Sequence, residues 1–326
     1  MGVVSPASPV PALRPGRFDR GLATLRGMGF EVRVAENARE ISGHTAGTVE
    51  QRVFDLHEMF ADDVVRAIVC SIGGYNSNAL LDRLDYDLIR KNPKVFMGYS
   101  DITALLLGIH TMTGLVTFYG PTIMAQFGER GGLHPYTERN FRKVLMVSEP
   151  PGELSPSGVT IHERLEWDRN DTRPRREETH EGPKVVRPGN AEGRVIAGNL
   201  CTLAVLAGTR YFPDLDGAIL CVEISEEEPV EWADRYLNHL RLLGEFEKAA
   251  ALVIGRTHPA SGFTTEDSLE DLLLAVTQDS GLPIATGFDF GHTDPMFTLP
   301  IGVHANVDFG VEPKLELLEA GVTGAG

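Results

Sequence analysis

The fold is decided by residues 94–113, which have the sequence KVFMGYSDITALLLGIHTMT. The apolar run at the start of this stretch ends at Gly98 and predicts a short strand, and the almost wholly apolar run after Ser100 predicts a helix. A helix that is apolar on every side must be buried. The turn that contains Ser100 is therefore predicted to be held rigidly at the centre of the molecule.

Ser100 has two interpretations in this turn. A strand-to-helix turn fixes a serine hydroxyl, and the first N–H groups of the helix point at an oxyanion that forms beside it, so Ser100 is a candidate nucleophile. Alternatively, Ser100 is only the N-cap of the helix, with Asp101 in its first turn. The motif G-x-S-x-G is incomplete because Ile102 stands at its last position, so an ordinary α/β-hydrolase is not predicted.

Upstream of this stretch, short apolar runs alternate with helical patterns. Strands are predicted at residues 2–5, 30–35 and 67–71, and helices at residues 17–28 and 47–60. This alternation predicts a parallel sheet with helices on both faces, in which functional groups collect at the carboxyl ends of the strands. Residues 1–150 are therefore predicted to form one α/β domain.

The composition changes after residue 150. Residues 151–190 are dense in charge and proline and have no clear periodicity, which predicts an interdomain linker or active-site loop. Residues 191–318 contain further apolar runs, such as GAILCVEI at 217–224, and predict a second domain. Residues 319–326 are expected to form a frayed tail.

The whole-chain composition excludes several classes of protein. The chain has 326 residues and a formal net charge of −16, which disfavours binding to a phosphate backbone, so no nucleic-acid partner is expected. No run approaches the ~18 apolar residues that a membrane span needs, and no signal-peptide pattern is present, so a cytoplasmic protein without a membrane partner is predicted. The three cysteines lie in apolar runs without a CxxC motif and are interpreted as buried free thiols. No metal or cofactor is predicted.

A second rigid turn is predicted at residues 71–78, SIGGYNSN, directly after a strand. Gly73 and Gly74 allow a backbone to approach a ligand closely, and one of their N–H groups is a candidate second oxyanion donor. A tight turn without a ligand is the alternative. The segment is not a dinucleotide-binding motif, since G-x-G-x-x-G is absent.

A serine nucleophile needs a base, and the base needs an orienting carboxylate. His292 lies in a loop with the sequence FDFGHTDPMFTLPIG, which suits a base on a fixed loop, and His258 is an alternative. Glu223 ends an apolar strand, where a carboxylate is costly unless it is paired. Its partner is either a catalytic imidazole or an arginine in a salt bridge.

Four segments occur in the order in which a known family carries them: SIGGYNSN at 71–78, DYDLIRKNPKVFMGYSDITALL at 85–106, GNLCTL at 198–203 and FGHTDPMFTLPIG at 290–302. The chain resembles the serine peptidase family of the LD-carboxypeptidases of murein recycling and the microcin C self-immunity proteins. The turn GGYNSN and the segment YGPTIMAQFGE at 119–129 resemble the immunity branch more closely.

This resemblance implies a nucleophile at Ser100, an acid at Glu223 and a base at His292. The oxyanion hole would consist of the N–H of Asp101 and one from the turn of Gly73 and Gly74. The first domain would be a Rossmann-like sheet similar to class I glutamine amidotransferases. The second would be a small β-rich sandwich or barrel that carries the acid and the base. The resemblance also implies a homodimer.

The resemblance further implies hydrolysis of peptidyl or aminoacyl adenylates, with a peptide or peptide-nucleotide as the substrate. An LD-carboxypeptidase acting on murein peptides is the alternative, and a binding protein that has lost turnover is a third. Asn199, Arg187 and Trp167 are candidate substrate contacts, with Arg187 expected to bind an anionic group. Immunity-type members carry a stacking tryptophan in a segment like GW-x-V-x-RPG, where this chain has Pro183. Trp167 is then either a structural anchor or a displaced stacking platform.

Overall fold

The computed structural model describes residues 1–323, which contain two large sheets, both covered by helices, and one small two-stranded sheet. Residues 324–326, the end of the predicted tail, lie outside the described residues. In residues 1–323, no helix combines the length and the apolar character that crossing a membrane requires.

The first sheet contains six strands. In order across the sheet they are β14 (Leu299–Ile301), β5 (Thr117–Tyr119), β4 (Val95–Gly98), β3 (Ala67–Cys70), β1 (Gly2–Val4) and β2 (Arg33–Val34). Its helices are α1 (Val10–Leu13), α2 (Pro15–Gly27), α3 (Val49–Ala61), α4 (Tyr86–Lys91), α5 (Thr103–Thr113) and α6 (Pro135–Leu145). All neighbouring strands are parallel except β14, which is antiparallel to β5. The predicted parallel α/β sheet is confirmed.

The second sheet contains eight strands. Their order is β6 (Gly152–Glu153), β16 (Pro313–Leu317), β15 (His304–Phe309), β10 (Gly189–Asn199), β11 (Ile219–Glu223), β12 (Ala251–Gly255), β13 (Ile284–Phe288) and β9 (Lys184–Arg187). Its helices are α7 (Leu200–Leu206), α8 (Val230–Leu242), α9 (Glu245–Lys248) and α10 (Leu269–Val276). Two further short strands, β7 (Val159–Thr160) and β8 (Glu178–Thr179), pair with each other.

The expectation of a β-sandwich or barrel is wrong for this second sheet. It is one open sheet in which β10, β11, β12 and β13 are parallel and are joined by helices. The physical reason lies in the strands themselves, since β11 and β12 are buried at every position. Strands that are apolar on both faces need helices on both faces.

Two of the predicted domain boundaries also differ from those in the structure. Residues 151–190 are more than a linker, because they contribute β6 and β9 to the second sheet and β7 and β8 to a small separate one. Residues 191–318 do not stay in the second domain throughout, because β14 returns to the edge of the first sheet and pairs with β5. The segment that carries His292 therefore crosses between the two sheets.

The apolar helix α5 joins the two halves of the molecule. It packs against β5 of its own sheet and against α7 and β10 of the other. Leu105, Leu106 and Leu107 have no exposed surface, and full burial of such a side chain contributes about 1.5–3 kcal/mol. At the start of the helix, the hydroxyl of Thr103 accepts a hydrogen bond from the backbone N–H of Asn199, 2.9 Å away. This contact fixes the carboxyl end of β10 beside the turn that holds Ser100.

A substitution at Gly193 tests how tightly β10 packs against the chain that leads into β11. A Cβ atom at this position would overlap the carbonyl oxygen of Gly217, a backbone atom that cannot move aside cheaply. We expect Gly193→Ala to lower the free energy of unfolding by about 1–3 kcal/mol, measured by urea denaturation. Gly27→Ala is the control, because no atom lies within 4 Å of the added methyl group. Equal stability of the two variants would contradict the close packing of β10.

Candidate active site

Ser100 follows the end of β4 and begins a short 3-10 turn, Ser100–Ile102, that leads into α5. Its φ is +63°, a left-handed conformation that is costly for a residue with a side chain. Tyr99 occupies the N-cap position of this turn, and no side chain forms a capping hydrogen bond there. The Oγ atom of Ser100 lies instead 3.0 Å from Nε2 of His292. The N-cap interpretation of Ser100 is therefore wrong.

Glu223 is the last residue of β11 and has no exposed surface. One carboxylate oxygen, Oε2, lies 2.7 Å from Nδ1 of His292, and the other, Oε1, accepts a hydrogen bond of 2.7 Å from the hydroxyl of Tyr119. The partner of this buried carboxylate is thus an imidazole rather than an arginine. Sequence reasoning missed Tyr119, although it ends strand β5 at the same edge of the first sheet as Ser100.

His292 is held between the two domains. Its ring packs edge-on against Tyr99 with 5.0 Å between the ring centres. The preceding Gly291 has φ +105°, and a Cβ atom there would lie 2.7 Å from the Cβ of Glu223. Only glycine therefore lets the loop bring the imidazole this close to the carboxylate.

The carboxylate of Glu223 and the imidazole of His292 shift each other's pKa. Burial alone would raise the pKa of Glu223, but the charge of His292 and the hydrogen bonds from His292 and Tyr119 lower it below its ordinary value. Burial alone would lower the pKa of His292, but the charge and hydrogen bond of Glu223 raise it. Glu223 therefore stays charged and favours the protonated imidazole, which is what a base needs after it has taken a proton.

The glycine turn lies directly against the Ser100 turn. A Cβ atom on Gly73 would lie 2.8 Å from the Cβ of Ser100 and 3.1 Å from the backbone nitrogen of Asp101. The carboxylate of Asp101 accepts hydrogen bonds from the backbone N–H groups of Asn76 and Ser77, at 3.1 and 2.9 Å. A Cβ on Gly74 would instead face Ser8. The two turns predicted from the sequence thus form one hydrogen-bonded unit.

The alternative base, His258, lies elsewhere. Its Nε2 atom is 3.0 Å from the carbonyl oxygen of His162, and its Nδ1 accepts a hydrogen bond from the backbone of Ala260. Asn199 has a structural position as the N-cap of α7, where its side chain accepts from Thr202 and donates to Glu228. It remains a neighbour of Glu223, because the two residues are paired in β10 and β11.

A cavity of about 470 Å³ opens over the imidazole of His292. Trp167 lines the same cavity, and the guanidinium of Arg17 lies 4.4 Å from the centre of its ring. The segment around Trp167 is tied to α2, since Asp168 accepts a hydrogen bond from the backbone of Gly16 and Asp171 forms ion pairs with Arg17 and Arg20. Trp167 is thus anchored and also faces the cavity, so its two predicted roles do not exclude each other.

One of the predicted substrate contacts, Arg187, lies outside the cavity, and so does Pro183, which stands where a stacking tryptophan was expected. The guanidinium of Arg187, in β9, donates to the hydroxyl of Thr277 and the carbonyl oxygen of Leu282, each at 3.0 Å, and does not line the cavity. Pro183 is half-buried beside Gly287 and does not line the cavity either. The expectation that Arg187 binds an anionic group at this cavity is wrong, because its guanidinium lies outside the cavity and is hydrogen-bonded to Thr277 and Leu282, between α10 and β13.

The fold and this site define a class of protein. Two α/β domains bring a serine, a histidine and a glutamate within hydrogen-bond distance in the cleft between them, an arrangement typical of serine peptidases. The chain belongs to the LD-carboxypeptidase family. The model of the family's N-terminal domain matches residues 1–120, and the model of its C-terminal domain matches residues 192–307.

Named relatives lie in both branches of the family. A probable murein peptide carboxypeptidase of Bacillus subtilis is 34% identical over 99% of this chain and 92% of its own. The microcin C7 self-immunity protein MccF of Escherichia coli is 33% identical over 95% of this chain and 90% of its own. The solved structure of MccF in complex with aspartyl sulfamoyl adenosine has a TM-score of 0.90 at 32% identity and covers 99% of this chain and 96% of that one. A MccF-like protein of Bacillus anthracis also has a TM-score of 0.90, at 36% identity, with 98% and 96% covered.

The side chains of the described part of the chain do not form a metal site. Within residues 1–323, no group of three or more histidine, cysteine, aspartate or glutamate side chains is arranged to hold a metal ion. Cys70 and Cys221 are buried, Cys201 is half-buried, and all three are free thiols.

Substitutions at three residues test the geometry of the site. We expect Ser100→Ala and His292→Ala each to lower kcat by at least about 10³-fold, because each removes one step of the proton path. Ser100→Ala should keep the thermal stability of the parent, whereas His292→Ala should lower it, because it leaves one oxygen of the buried Glu223 without its partner. His258→Ala is the matched control and should stay within a few-fold of the parent in kcat/KM. A larger loss for His258→Ala than for His292→Ala would identify His258 as the base.

Proposed function

We propose that this protein is a serine hydrolase of the Ser–His–Glu type that cleaves the amide between an amino acid or peptide carboxyl and a nucleotide-like group. The single observation that carries the proposal is the presence of Trp167 and His292 in one cavity. An aromatic ring of this kind can stack on a nucleobase while the acyl group reaches the serine. One structural neighbour, MccF, has been solved in complex with aspartyl sulfamoyl adenosine, a ligand of this chemistry.

In the proposed reaction, Oγ of Ser100 attacks the carbonyl carbon while its proton passes to Nε2 of His292. Glu223 holds the imidazole in the correct tautomer and stabilises its charge. The oxyanion is bound by the N–H of Asp101 and by an N–H of the glycine turn. The imidazolium then protonates the leaving nitrogen. Water next attacks the acyl-enzyme while His292 takes its proton, and this proton is returned to Oγ of Ser100 as the acid product leaves.

The contacts of the glycine turn support its role in the oxyanion hole. The N–H and the hydroxyl of Ser8 both donate to the carbonyl oxygen of Gly73, at 3.2 and 2.7 Å. In a trans peptide the N–H of the next residue, Gly74, points away from that oxygen. The peptide between Gly73 and Gly74 is thus held in one orientation beside the backbone nitrogen of Asp101.

One arginine in the cavity has the properties of an anion contact. Most cavity arginines have an acidic partner: Arg17 pairs with Glu129 and Asp171, Arg164 with Glu226, Arg169 with Glu166, and Arg175 with Glu129 and Asp294. Within residues 1–323, Arg14 forms no ion pair, and its guanidinium donates only to the neighbouring carbonyl oxygen of Leu13. In a chain of net charge −16, a cation without an acidic partner suits the phosphate or sulfamoyl group of a nucleotide.

An LD-carboxypeptidase activity on murein peptides is the second candidate. It is favoured by the similarity to the murein peptide carboxypeptidase, which equals the similarity to MccF within one per cent of identity. The same triad chemistry would then release a terminal amino acid, with Arg14 as a contact for its carboxylate. Parallel hydrolysis assays with aspartyl sulfamoyl adenosine and an L,D-tetrapeptide distinguish the two, and cleavage of neither would contradict both.

A substitution at Trp167 distinguishes the two candidate substrates. We expect Trp167→Ala to raise KM for the sulfamoyl adenosine by about 5- to 150-fold, since stacking of a base on an aromatic ring contributes roughly 1–3 kcal/mol, and to change KM for the tetrapeptide far less. The control is Trp232→Ala on α8, the other tryptophan of the chain, which is 44% exposed and outside the cavity. An unchanged KM for the adenylate analogue would remove the stacking platform from the proposal.

The charge contact has its own test. We expect Arg14→Ala to raise KM for an anionic substrate, by a factor that shrinks as the salt concentration rises, because salt screens the attraction. Arg187→Ala is the matched control, since that guanidinium is bonded within the second domain. A larger effect for Arg187→Ala would restore the contact that the sequence predicted.

The same proposal includes three properties predicted from the sequence. They are a likeness of the first domain to class I glutamine amidotransferases, a homodimeric assembly and a cytoplasmic location. Each stays a prediction.

A further inference from the structure

We propose that Tyr119 is a positioning residue of this site, whose one hydroxyl aligns the acid Glu223 and the nucleophile Ser100 across the two domains. The inference rests on the proposed Ser–His–Glu mechanism but not on the identity of the substrate. Tyr119 does not contact the reacting atoms and acts through the groups that do.

The need for Tyr119 follows from the burial of Glu223. A carboxylate with no exposed surface must have both oxygens hydrogen-bonded, because an unpaired buried oxygen carries a large desolvation penalty. His292 satisfies only Oε2. The hydroxyl of Tyr119 donates to Oε1 at 2.7 Å and so completes the set.

The direction of this hydrogen bond determines what else Tyr119 can do. An ionised carboxylate only accepts, so the phenol must donate its proton to Glu223. Its oxygen is then free to accept, and the backbone N–H of Ser100 lies 3.3 Å away. One oxygen atom thus connects the carboxylate of the second sheet to the strained backbone of the nucleophile in the first.

The surroundings keep the hydroxyl in place and protonated. The ring of Tyr119 has no exposed surface and packs edge-on against Tyr99 and Phe290, with ring centres 6.1 and 6.4 Å away. Burial and the charge of Glu223 raise the pKa of Tyr119 well above its ordinary value. The phenol is therefore a donor throughout the working pH range.

Loss of this donor has a defined chemical consequence. The charge of Glu223 would be stabilised less, so the carboxylate would be more basic and would hold the imidazolium of His292 more strongly. The charges of Glu228 and Glu227 also act on the imidazole, and Tyr99 packs against its ring. Other charged groups, Glu226, Asp294 and Arg175, line the same cavity, and the substitution leaves all of these residues in place. The acid limb of the pH–rate profile, which reports loss of the proton from His292, should therefore move to higher pH.

The experiment uses a fluorophosphonate that labels active serines, so that its outcome does not depend on the natural substrate. Ser100 displaces fluoride from phosphorus, and its proton passes to His292. We expect Tyr119→Phe to lower the second-order rate constant of labelling by about 10- to 100-fold and to move its acid limb to higher pH. Labelling of the parent together with failure to cleave either substrate would contradict the proposed function and leave this inference standing.

Tyr136→Phe is the matched control. Its buried hydroxyl donates to the carbonyl oxygen of Ser155 and forms no hydrogen bond with Ser100, Glu223 or His292. This variant should label within about twofold of the parent with an unmoved acid limb, even if its melting temperature falls as much as that of Tyr119→Phe. The proposal is overturned if Tyr119→Phe labels like the parent, if both variants lose the same factor, or if the rate falls without any movement of the acid limb.

A second variant keeps the shape of the ring and covers the case in which Tyr119→Phe does not fold. Tyr119→3,5-difluorotyrosine has a more acidic phenol, which donates a stronger hydrogen bond to Glu223. The carboxylate becomes less basic, so the acid limb should move to lower pH, opposite to the movement expected for Tyr119→Phe. An acid limb that stays in place, or moves to higher pH, would overturn the proposal.

Discussion

The structure depends on the requirement that one buried carboxylate be fully hydrogen-bonded. Glu223 lies at the carboxyl end of a strand that is buried at every position, and the side chain has no exposed surface. Its two oxygens are bonded to His292 and Tyr119, which come from a loop that crosses between the domains and from the first sheet. Because an unpaired buried charge costs several kcal/mol, the two domains cannot separate or slide without exposing or orphaning this group.

The two domains are placed so that the carboxyl ends of the strands of both sheets face each other. Ser100 and Tyr119 end strands of the first sheet, and Asn199 and Glu223 end neighbouring strands of the second. The apolar helix α5 begins right after Ser100, and its first residue, Thr103, is bonded to the backbone of Asn199. Both sheets therefore present their carboxyl ends to one cleft, which is where parallel sheets generally place their functional groups.

The charged segment after residue 150 forms part of the wall of the cavity beside His292. Its arginines are numerous, but most are neutralised by acidic partners that fix the segment in place. The ion pairs of Asp171 with Arg17 and Arg20 hold Trp167 over the cavity. Within residues 1–323, the guanidinium of Arg14 is the cavity arginine that forms no ion pair, while the paired arginines of the cavity shape its walls.

Much of this protein follows from its sequence alone. The alternation of apolar runs and helical patterns predicts the parallel sheet, since only helices on both faces can cover strands that are apolar throughout. The rigid turns at Ser100 and at Gly73 follow from strand ends with small residues, and the apolar helix after Ser100 has to be buried. The motifs of the family add Glu223 and His292, which local sequence left as one choice among several.

The tertiary structure decided everything that depends on contacts between distant residues. It showed that His292, and not His258, lies between Ser100 and Glu223, and that the guanidinium of Arg187 is hydrogen-bonded away from the cavity. Only the fold determines which donors already have partners. It revealed Tyr119, whose hydroxyl is 104 positions in the chain from the carboxylate that it serves. It also showed that strand β14 belongs to the first sheet and that the second domain is built on an open α/β sheet. A sequence pattern reports the burial of a residue, but the partner of a buried polar group comes from another part of the chain and has no local signal.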